Sequence, residues 1–220
     1  MKKEFLKFMQ DCGALLFGDF TLKSGRKSPY FVNTGEYKTN HQLLRLGEFY
    51  GVLIEDSGVE FDVLYGPAYK GIPLAVLAST NLEPEIGVSF NRKEAKDHGD
   101  GKSILGYVPK DGDRIAIIED VTTAGTSIRE TLDLFKQTAD VEVVALYISI
   151  DRMEKPNNGT MSDEGKSTGI LSATQQITQE YGIPVYSIAT AADIIGYLES
   201  KGENEYSAKM REYLEQYGVK

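Results

Sequence analysis

The chain has 220 residues, of which 41% are hydrophobic and 26% are charged, a composition typical of globular proteins that fold in water. Its formal net charge of −9 argues against a general nucleic-acid binder, because that function needs a dominant basic face. The single cysteine, Cys12, excludes an internal disulfide, and no signal peptide or membrane-spanning stretch is evident, so we expect a soluble, cytoplasmic protein.

Hydrophobic periodicity predicts helices and strands that alternate along the chain. Amphipathic spacing predicts helices at 4–17, 43–56, 70–80, 126–138 and 173–182. Apolar runs predict strands at 61–67, 85–90, 114–120, 141–151 and 184–190. Because such alternation is typical of βαβ units, we expect an α/β fold in which helices cover both faces of a mostly parallel sheet. The polar stretch 153–168 is interpreted as a mobile surface excursion.

The segment IAIIEDVTTAGTS, residues 115–127, places two carboxylates between a buried strand and a helix. Ligands of parallel sheets bind beyond the carboxyl ends of the strands, so Glu119 and Asp120 should lie at the binding edge. The small residues 122–127 can direct backbone N–H groups and hydroxyls at a phosphate. Since the carboxylates would repel that phosphate, they suit neutral hydroxyls or a cation, and the segment predicts a ribose-5-phosphate site.

A simpler interpretation of this segment needs no ligand. Asp120 would cap a turn, and the threonine and serine residues would cap the following helix. Other phosphate motifs fail, since a P-loop ending at 101–103 would need a glycine at Lys96. A dinucleotide fingerprint starting at Gly99 would need a glycine at Ile104.

The segment EDVTTAGTS closely resembles the phosphoribosyl-diphosphate motif of the type I phosphoribosyltransferases. Other stretches resemble one branch of that family, the orotate phosphoribosyltransferases: FTLKSGRKSPYF (20–31), FDVLYGPAYKGIPLA (61–75), FNRKEAKDHGDGKSILG (90–106) and ISIDR (148–152). The resemblance covers most of residues 10–200. It implies a single type I phosphoribosyltransferase domain over 1–220, with a small hood formed mainly by 1–40 and the C-terminal region, and a mobile catalytic loop at 92–106.

The resemblance implies transfer of the 5-phosphoribosyl group from phosphoribosyl diphosphate to N1 of orotate, which gives orotidine 5′-phosphate and pyrophosphate in pyrimidine (UMP) biosynthesis. Family motifs assign phosphoribosyl-diphosphate binding to the strand-end segment, the loop and three further side chains. These residues are Lys23, Tyr69, Lys70, Arg92, Lys93, Lys96, His98, Glu119, Asp120, Val121, Thr122, Thr123, Ala124, Gly125, Thr126 and Ser127. Glu119 departs from the family pattern, which usually has aspartate there.

The loop 92–106 concentrates the cations that a departing pyrophosphate requires. Glycines flank these cations, as expected of a closing lid. By resemblance, Lys93, Lys96 and His98 act in the neighbouring subunit's site and Arg92 acts in its own chain. Lys93, Lys96, His98 and Asp120 would then be catalytic. Taken without the other motifs, the loop is typical of a solvated charged hairpin.

The resemblance assigns orotate to Phe31, Val32, Thr123 and Arg152. Arg152 follows a predicted strand and would clamp the orotate carboxylate bidentately, while Val32 replaces what is often a second aromatic residue. A salt bridge from Arg152 to Asp151 or Glu154 is the structural alternative. Arg26 and Lys27, which follow Lys23 closely in the sequence, are interpreted as turn and surface residues.

The resemblance further implies Mg²⁺, held mainly by substrate oxygens and water near Asp120 rather than by a set of protein ligands. It also implies a homodimer in which the loop 92–106 completes the neighbour's site. Two alternatives remain at this point: a purine phosphoribosyltransferase with the same phosphate site, and a ligand-sensing regulator with the same fold. The loop and the acidic charge favour an enzyme.

Overall fold

The computed structural model describes residues 1–22, 25–93, 103–122, 125–156 and 171–219. Within these ranges the helices are α1 (Lys2–Asp11), α2 (Asn40–Ser57), α3 (Gly71–Ser79), α4 (Thr126–Lys136), α5 (Ala173–Tyr181), α6 (Ala191–Ser200) and α7 (Asn204–Tyr217). The strands are β1 (Leu15–Thr21), β2 (Lys27–Val32), β3 (Val63–Gly66), β4 (Gly87–Asn91), β5 (Ile104–Gly106), β6 (Arg114–Ile118), β7 (Glu142–Asp151) and β8 (Val185–Thr190).

The main sheet has the order β5–β4–β3–β6–β7–β8. Its neighbouring strands run parallel except β4 and β5, which are antiparallel. Leu64 in the central strand β3 pairs with Val88 on one side and Ala116 on the other. The predicted α/β fold with a mostly parallel sheet is therefore confirmed.

Both faces of this sheet are buried, which explains the uninterrupted apolar runs of its strands. Alternate residues of β6 point to opposite sides: Ala116 and Ile118 join the cluster beneath α1, α2, α6 and α7. Ile115 and Ile117 pack with Ile128 of α4 on the other face. The carboxyl ends of the strands are consequently held by packing from two sides.

The predicted helix over 4–17 is wrong beyond Asp11. Gly13 adopts a left-handed conformation with φ 74°, and the chain then enters β1, which pairs antiparallel with β2. The consecutive apolar residues of the segment fit a strand as well as a helix, and pairing with β2 decides between them. Strands β1 and β2 and helices α6 and α7 were not among the predicted elements. Cys12 is half-buried at the C-terminal end of α1, where it packs against the core.

The predicted loop 92–106 is also shorter than expected, since Ile104–Gly106 forms the edge strand β5. Asn91 of β4 pairs with Ile104, and the Arg92 N–H donates to the Ser103 carbonyl at 2.9 Å. Both ends of the loop are therefore fixed by a β-ladder. Residues 94–102, and most of the polar excursion 153–168, lie outside the described residues.

The β1–β2 hairpin packs on α7 and places the end of β2 over the carboxyl-terminal ends of the main-sheet strands. Tyr30 of β2 meets Tyr213 of α7 with ring centroids 6.1 Å apart. The Asn33 N–H donates to the Ala14 carbonyl at 2.8 Å, which fixes where the chain leaves the hairpin. None of the described helices is both long and apolar enough to cross a membrane.

Candidate active site

A cavity of about 610 Å³ opens at the carboxyl ends of β3, β6 and β7, beneath the hairpin. The predicted site residues that line it are Phe31, Val32, Lys70, Asp120, Val121, Thr122 and Arg152. Another cavity, of about 580 Å³, lies against α5 and contains none of the predicted site residues. The structure thus brings Lys70 of the predicted diphosphate set together with predicted ribose and base residues in one cleft.

The backbone of the acidic pair is fixed by hydrogen bonds from two neighbouring elements. The Tyr50 hydroxyl of α2 donates to the Glu119 carbonyl at 2.7 Å. Ser149 of β7 donates to the Asp120 carbonyl from its backbone N–H at 2.9 Å and from its hydroxyl at 2.6 Å. Since Tyr50 is fully buried, this support is rigid.

Among the described residues, the Asp120 carboxylate has two side-chain partners. The Thr34 hydroxyl donates to Asp120 Oδ2 at 2.6 Å, and Lys70 Nζ lies 2.7 Å from the same oxygen. Lys70 also donates to Thr34 Oγ1 at 3.2 Å. The Asp120 side chain is 13% exposed, whereas that of Lys70 is 62% exposed, so the lysine can leave without repacking. Asp120 is therefore held by side chains from two other parts of the chain, which a simple turn cap does not require.

Glu119 is the more deeply buried acid, with 8% exposure. Burial raises its pKa from the ordinary 4.5 to about 7, while a hydrogen bond from the Ser127 side chain opposes that rise. The negative charge of Asp120 adds to the rise and Lys70 reduces it. Near neutral pH a substantial fraction of Glu119 is therefore protonated, and its carboxyl group can donate as well as accept a hydrogen bond.

The segment after the acidic pair reaches the N-terminus of α4 as predicted. Thr122 is buried, and Gly125 has φ 64°, the left-handed conformation that its sequence position suggested. Thr126 and Ser127 form the first turn of α4, whose N-cap Gly125 offers no side-chain cap. Because no side chain of the described residues caps this end of α4, the N–H groups of its first turn remain available to an anion. Thr123 and Ala124 lie outside the described residues.

The predicted diphosphate side of the cleft is formed by the β3–α3 connection and the start of the loop. Tyr69 is 54% exposed, and Lys93 Nζ lies 5.7 Å from its ring centroid within the same chain. A cis peptide bond joins Ala68 and Tyr69, and the Ala68 N–H donates to Asn91 Oδ1 at 2.8 Å. Lys23, Lys96 and His98 lie outside the described residues, so their assignments stay predictions.

The predicted base-binding side combines the hairpin with the end of β7. Phe31 stacks on Phe20 with centroids 5.6 Å apart, which gives the hairpin an aromatic surface, and Val32 packs partly against the core. Arg152 lies with its guanidinium carbon 4.4 Å from the centroid of the Tyr30 ring. Its Nη2 is 2.7 Å from Glu154 Oε1, so the salt bridge considered as an alternative is present in the ligand-free chain.

Sequence reasoning missed several residues of this cleft. Thr34 holds the strand-end carboxylate, and Tyr30 lies against the Arg152 guanidinium and donates to Glu154, the salt-bridge partner that the sequence did suggest. Arg26, predicted to be a surface residue, has a side chain only 16% exposed and approaches Glu154 Oε2 at 3.8 Å; Lys27 is exposed as predicted. No local pattern marks the contacts of Thr34 and Tyr30, because their partners lie 86 and 124 residues away along the chain.

Comparison with known proteins identifies the family. The model of the phosphoribosyl transferase domain matches residues 33–176. The chain is 47% identical to the orotate phosphoribosyltransferase of Clostridium beijerinckii, with 100% of this chain and 98% of that protein aligned. It is 44% identical to the Vibrio cholerae enzyme of the same name, with 99% and 98% aligned.

A solved structure agrees with these sequence relatives. The crystal structure of orotate phosphoribosyltransferase from Francisella tularensis superposes with a TM-score of 0.84 at 35% identity, covering 98% of this chain and 100% of that one. The match extends over the sheet, the hairpin and the helices that build the cleft. The chain therefore belongs to the orotate phosphoribosyltransferases, within the phosphoribosyl transferase domain family.

Proposed function

We propose that the cleft transfers the 5-phosphoribosyl group of phosphoribosyl diphosphate to N1 of orotate, with release of pyrophosphate. The observation that carries this proposal is the meeting of three chemistries in one cavity. These are the carboxylate of Asp120 at the end of β6, a lysine at the end of β3 and a buried arginine at the end of β7. They suit a ribose diol, a diphosphate and a carboxylate-bearing base, respectively.

The ribose end of the donor is assigned to the segment 119–127. Its 5-phosphate would accept hydrogen bonds from the N–H groups at the start of α4, which Gly125 leaves uncapped. Asp120 and Glu119 would accept hydrogen bonds from the ribose hydroxyls. A partly protonated Glu119 lessens the repulsion between the acidic pair and the nearby phosphates.

Lys70 is assigned a change of partner when the donor binds. Lys70 forms an ion pair with Asp120, and its exposed side chain can turn toward a diphosphate. A ribose hydroxyl would then replace its ammonium on Asp120 Oδ2, while Thr34 keeps its own hydrogen bond to that oxygen. The exchange leaves neither charge without a partner, so the cost of desolvation is kept low.

Departure of pyrophosphate requires cations where negative charge develops. Arg92 and Lys93 stand at the beginning of the loop, and the β4–β5 ladder anchors the loop's two ends beside Tyr69. We assign Lys96 and His98 to the same role in a neighbouring subunit, and Lys93 with them. In the ligand-free chain Lys93 lies near its own Tyr69, so that assignment requires the loop start to reorient.

The donor set of the cleft fits Mg²⁺ that is bound chiefly by substrate. Magnesium commonly keeps several waters and takes one or two carboxylates together with substrate phosphates. Asp120 is half of an ion pair and Glu119 is buried, so together they offer few oxygen ligands. When bound, the ion would neutralise charge on the diphosphate; Asp120 is the residue placed to hold it.

We also propose that two copies of the chain form the working enzyme. Leu44 and Val52 of α2 are 50% and 40% exposed, and Val76 of the adjoining α3 is 44% exposed. The two helices pack closely, since a Cβ on Gly47 would lie 2.7 Å from the Leu77 carbonyl oxygen. Exposed aliphatic side chains on two helices that pack together are candidates for burial against a second copy.

The decisive experiment follows the ultraviolet absorbance of orotate after addition of Mg²⁺ and phosphoribosyl diphosphate. Loss of the orotate band, dependent on both additions, is expected. A panel of purine and pyrimidine bases tests the alternative of a purine phosphoribosyltransferase, which lacks a use for Arg152. Turnover of a purine without turnover of orotate would refute the proposal.

A further inference from the structure

We propose that Glu154 is a positioning residue that presents Arg152 to the base and so selects a pyrimidine that carries a carboxylate. The inference rests on the proposed function, because it takes orotate as the acceptor. It concerns side chains around Arg152 to which neither the sequence motifs nor the family assigned a role.

Glu154 engages one edge of the Arg152 guanidinium. Arg152 Nε donates to Glu154 Oε1 at 3.0 Å, and Nη2 lies 2.7 Å from the same oxygen. Nη2 is nevertheless not aligned for a hydrogen bond and has no such partner among the described residues, although it is buried. With Nε held, Nη2 and Nη1 form the edge that remains for a bidentate carboxylate.

Glu154 is itself fixed by its surroundings. The Tyr30 hydroxyl donates to Glu154 Oε1 at 3.0 Å, and burial raises the pKa of Tyr30, which keeps this donor protonated. Arg26 Nη1 lies 3.8 Å from Glu154 Oε2 and donates to the Lys155 carbonyl at 2.8 Å. The side chains of Glu154 and Arg152 are 11% and 10% exposed, so the pair is rigid as well as buried.

The backbone that carries this pair is clamped by the C-terminal segment. Met153, between the two charged residues, has a left-handed φ of 55°, which is unusual for a residue with a side chain. Its N–H donates to Asp151 Oδ1 at 2.8 Å, and its carbonyl accepts from the Val219 N–H at 2.9 Å. The backbone of Glu154 also forms an isolated antiparallel β-bridge with Gly218. The bend is thus held from outside the cleft, and it brings Glu154 back onto Arg152.

This arrangement distinguishes an acceptor with a carboxylate from one without it. An anionic group at the Nη1–Nη2 edge of Arg152 would give the buried Nη2 the hydrogen-bond partner it lacks among the described residues. An uncharged pyrimidine would bring no such acceptor and leave that edge unpaired, which is costly in a buried site. Glu154 contributes by holding Arg152 against the Tyr30 ring in the orientation that the carboxylate needs.

The test compares Glu154→Gln with the wild-type chain, using orotate and its uncharged 6-carboxamide. In the variant, the KM for orotate is expected to rise about tenfold or more, because a charge-assisted contact that orients Arg152 is weakened. The KM for phosphoribosyl diphosphate and the inhibition constant of the carboxamide should stay unchanged. Discrimination between the charged and the uncharged ring therefore falls by the same factor.

Two further variants make the result decisive. Tyr30→Phe keeps the ring beneath Arg152 but removes the hydroxyl donor to Glu154, so a rise of about threefold in the orotate KM is expected. Glu199→Gln removes the partner of Arg211, an ion pair at 2.6 Å between α6 and α7 away from the cleft, and should change neither KM.

An unchanged orotate KM in Glu154→Gln would overturn the inference, and a lowered one would show that Glu154 competes with substrate for Arg152. A parallel loss of affinity for the carboxamide would indicate a merely structural role and would overturn it too. If Glu154→Gln does not fold, Tyr30→Phe decides by the same criteria. Failure of the wild-type chain to consume orotate would instead refute the proposed function.

Discussion

Because the carboxyl group of Glu119 is buried, we predict that the free energy of unfolding of the protein depends on pH. Its pKa rises from 4.5 to about 7 on folding, and a tenfold change in proton affinity corresponds to about 1.4 kcal/mol. Because the folded-state pKa is the higher one, the stabilising effect is fully present below about pH 4.5 and is lost as pH rises through 7. Above that pH the buried charge costs about 3 kcal/mol.

Glu119→Gln removes this titration while keeping the size of the side chain. Relative to the wild-type chain, the free energy of unfolding of the variant should increase by about 2 kcal/mol more at pH 8.5 than at pH 5. Urea unfolding of both proteins at the two pH values measures this difference. Glu85→Gln, at an exposed position, serves as the control. A difference between Glu119→Gln and wild type that does not change with pH would refute the assignment of a raised pKa to Glu119.

Three further predictions concern the ribose site, the loop and the sheet edge. Thr34→Val removes the 2.6 Å hydrogen bond to Asp120 and should raise the KM for phosphoribosyl diphosphate about fivefold. Thr34→Ser keeps the hydroxyl and should retain wild-type values. Equal kinetics of the two variants would contradict the role of the hydroxyl. Lys96→Ala should lower turnover about a hundredfold without affecting folding, and mixing it with Asp120→Ala chains should restore some activity through hybrid dimers; near-wild-type turnover would refute the lid assignment. Gly66→Ala would put a Cβ 2.1 Å from the carbonyl oxygen of the first residue of α3. Urea unfolding of this variant should show a loss of about 3 kcal/mol in the free energy of unfolding. The control Gly196→Ala, whose added Cβ meets nothing within 4 Å, should be neutral or stabilising.

The two charged side chains of the cleft to which we assign substrate recognition each form an ion pair within the chain. Asp120 is held by Lys70, and Arg152 is held by Glu154. The pairs differ in burial, since Lys70 is 62% exposed and Glu154 only 11%. We therefore expect Lys70 to exchange partners during the reaction cycle and Glu154 to stay in place. An exposed cation such as Lys70 suits a diphosphate that arrives and departs. A cation that a buried partner holds in place, as Glu154 holds Arg152, suits selection among bases.

Local sequence was sufficient to predict five of the six strands of the main sheet and the position of the acidic pair. The uninterrupted apolar runs of β3, β6 and β7, alternating with helices, are typical of strands covered on both faces, and the small residues 122–127 indicated the turn into α4. These features depend on neighbours in the chain, so a single sequence records them. The motifs that resemble the family extended this reading to the substrates.

Tertiary structure decided what those local signals could not. Leu15 to Phe17 became a strand because β2 lies beside them, and Arg26 became buried because the turn before β2 meets Glu154 and the C-terminal segment. Thr34 reaches Asp120 across 86 residues of sequence. Such contacts have no periodicity, since they arise where separately predicted elements converge. The sequence alone determined which strand ends carry charge; the fold determined which side chain each charge would face.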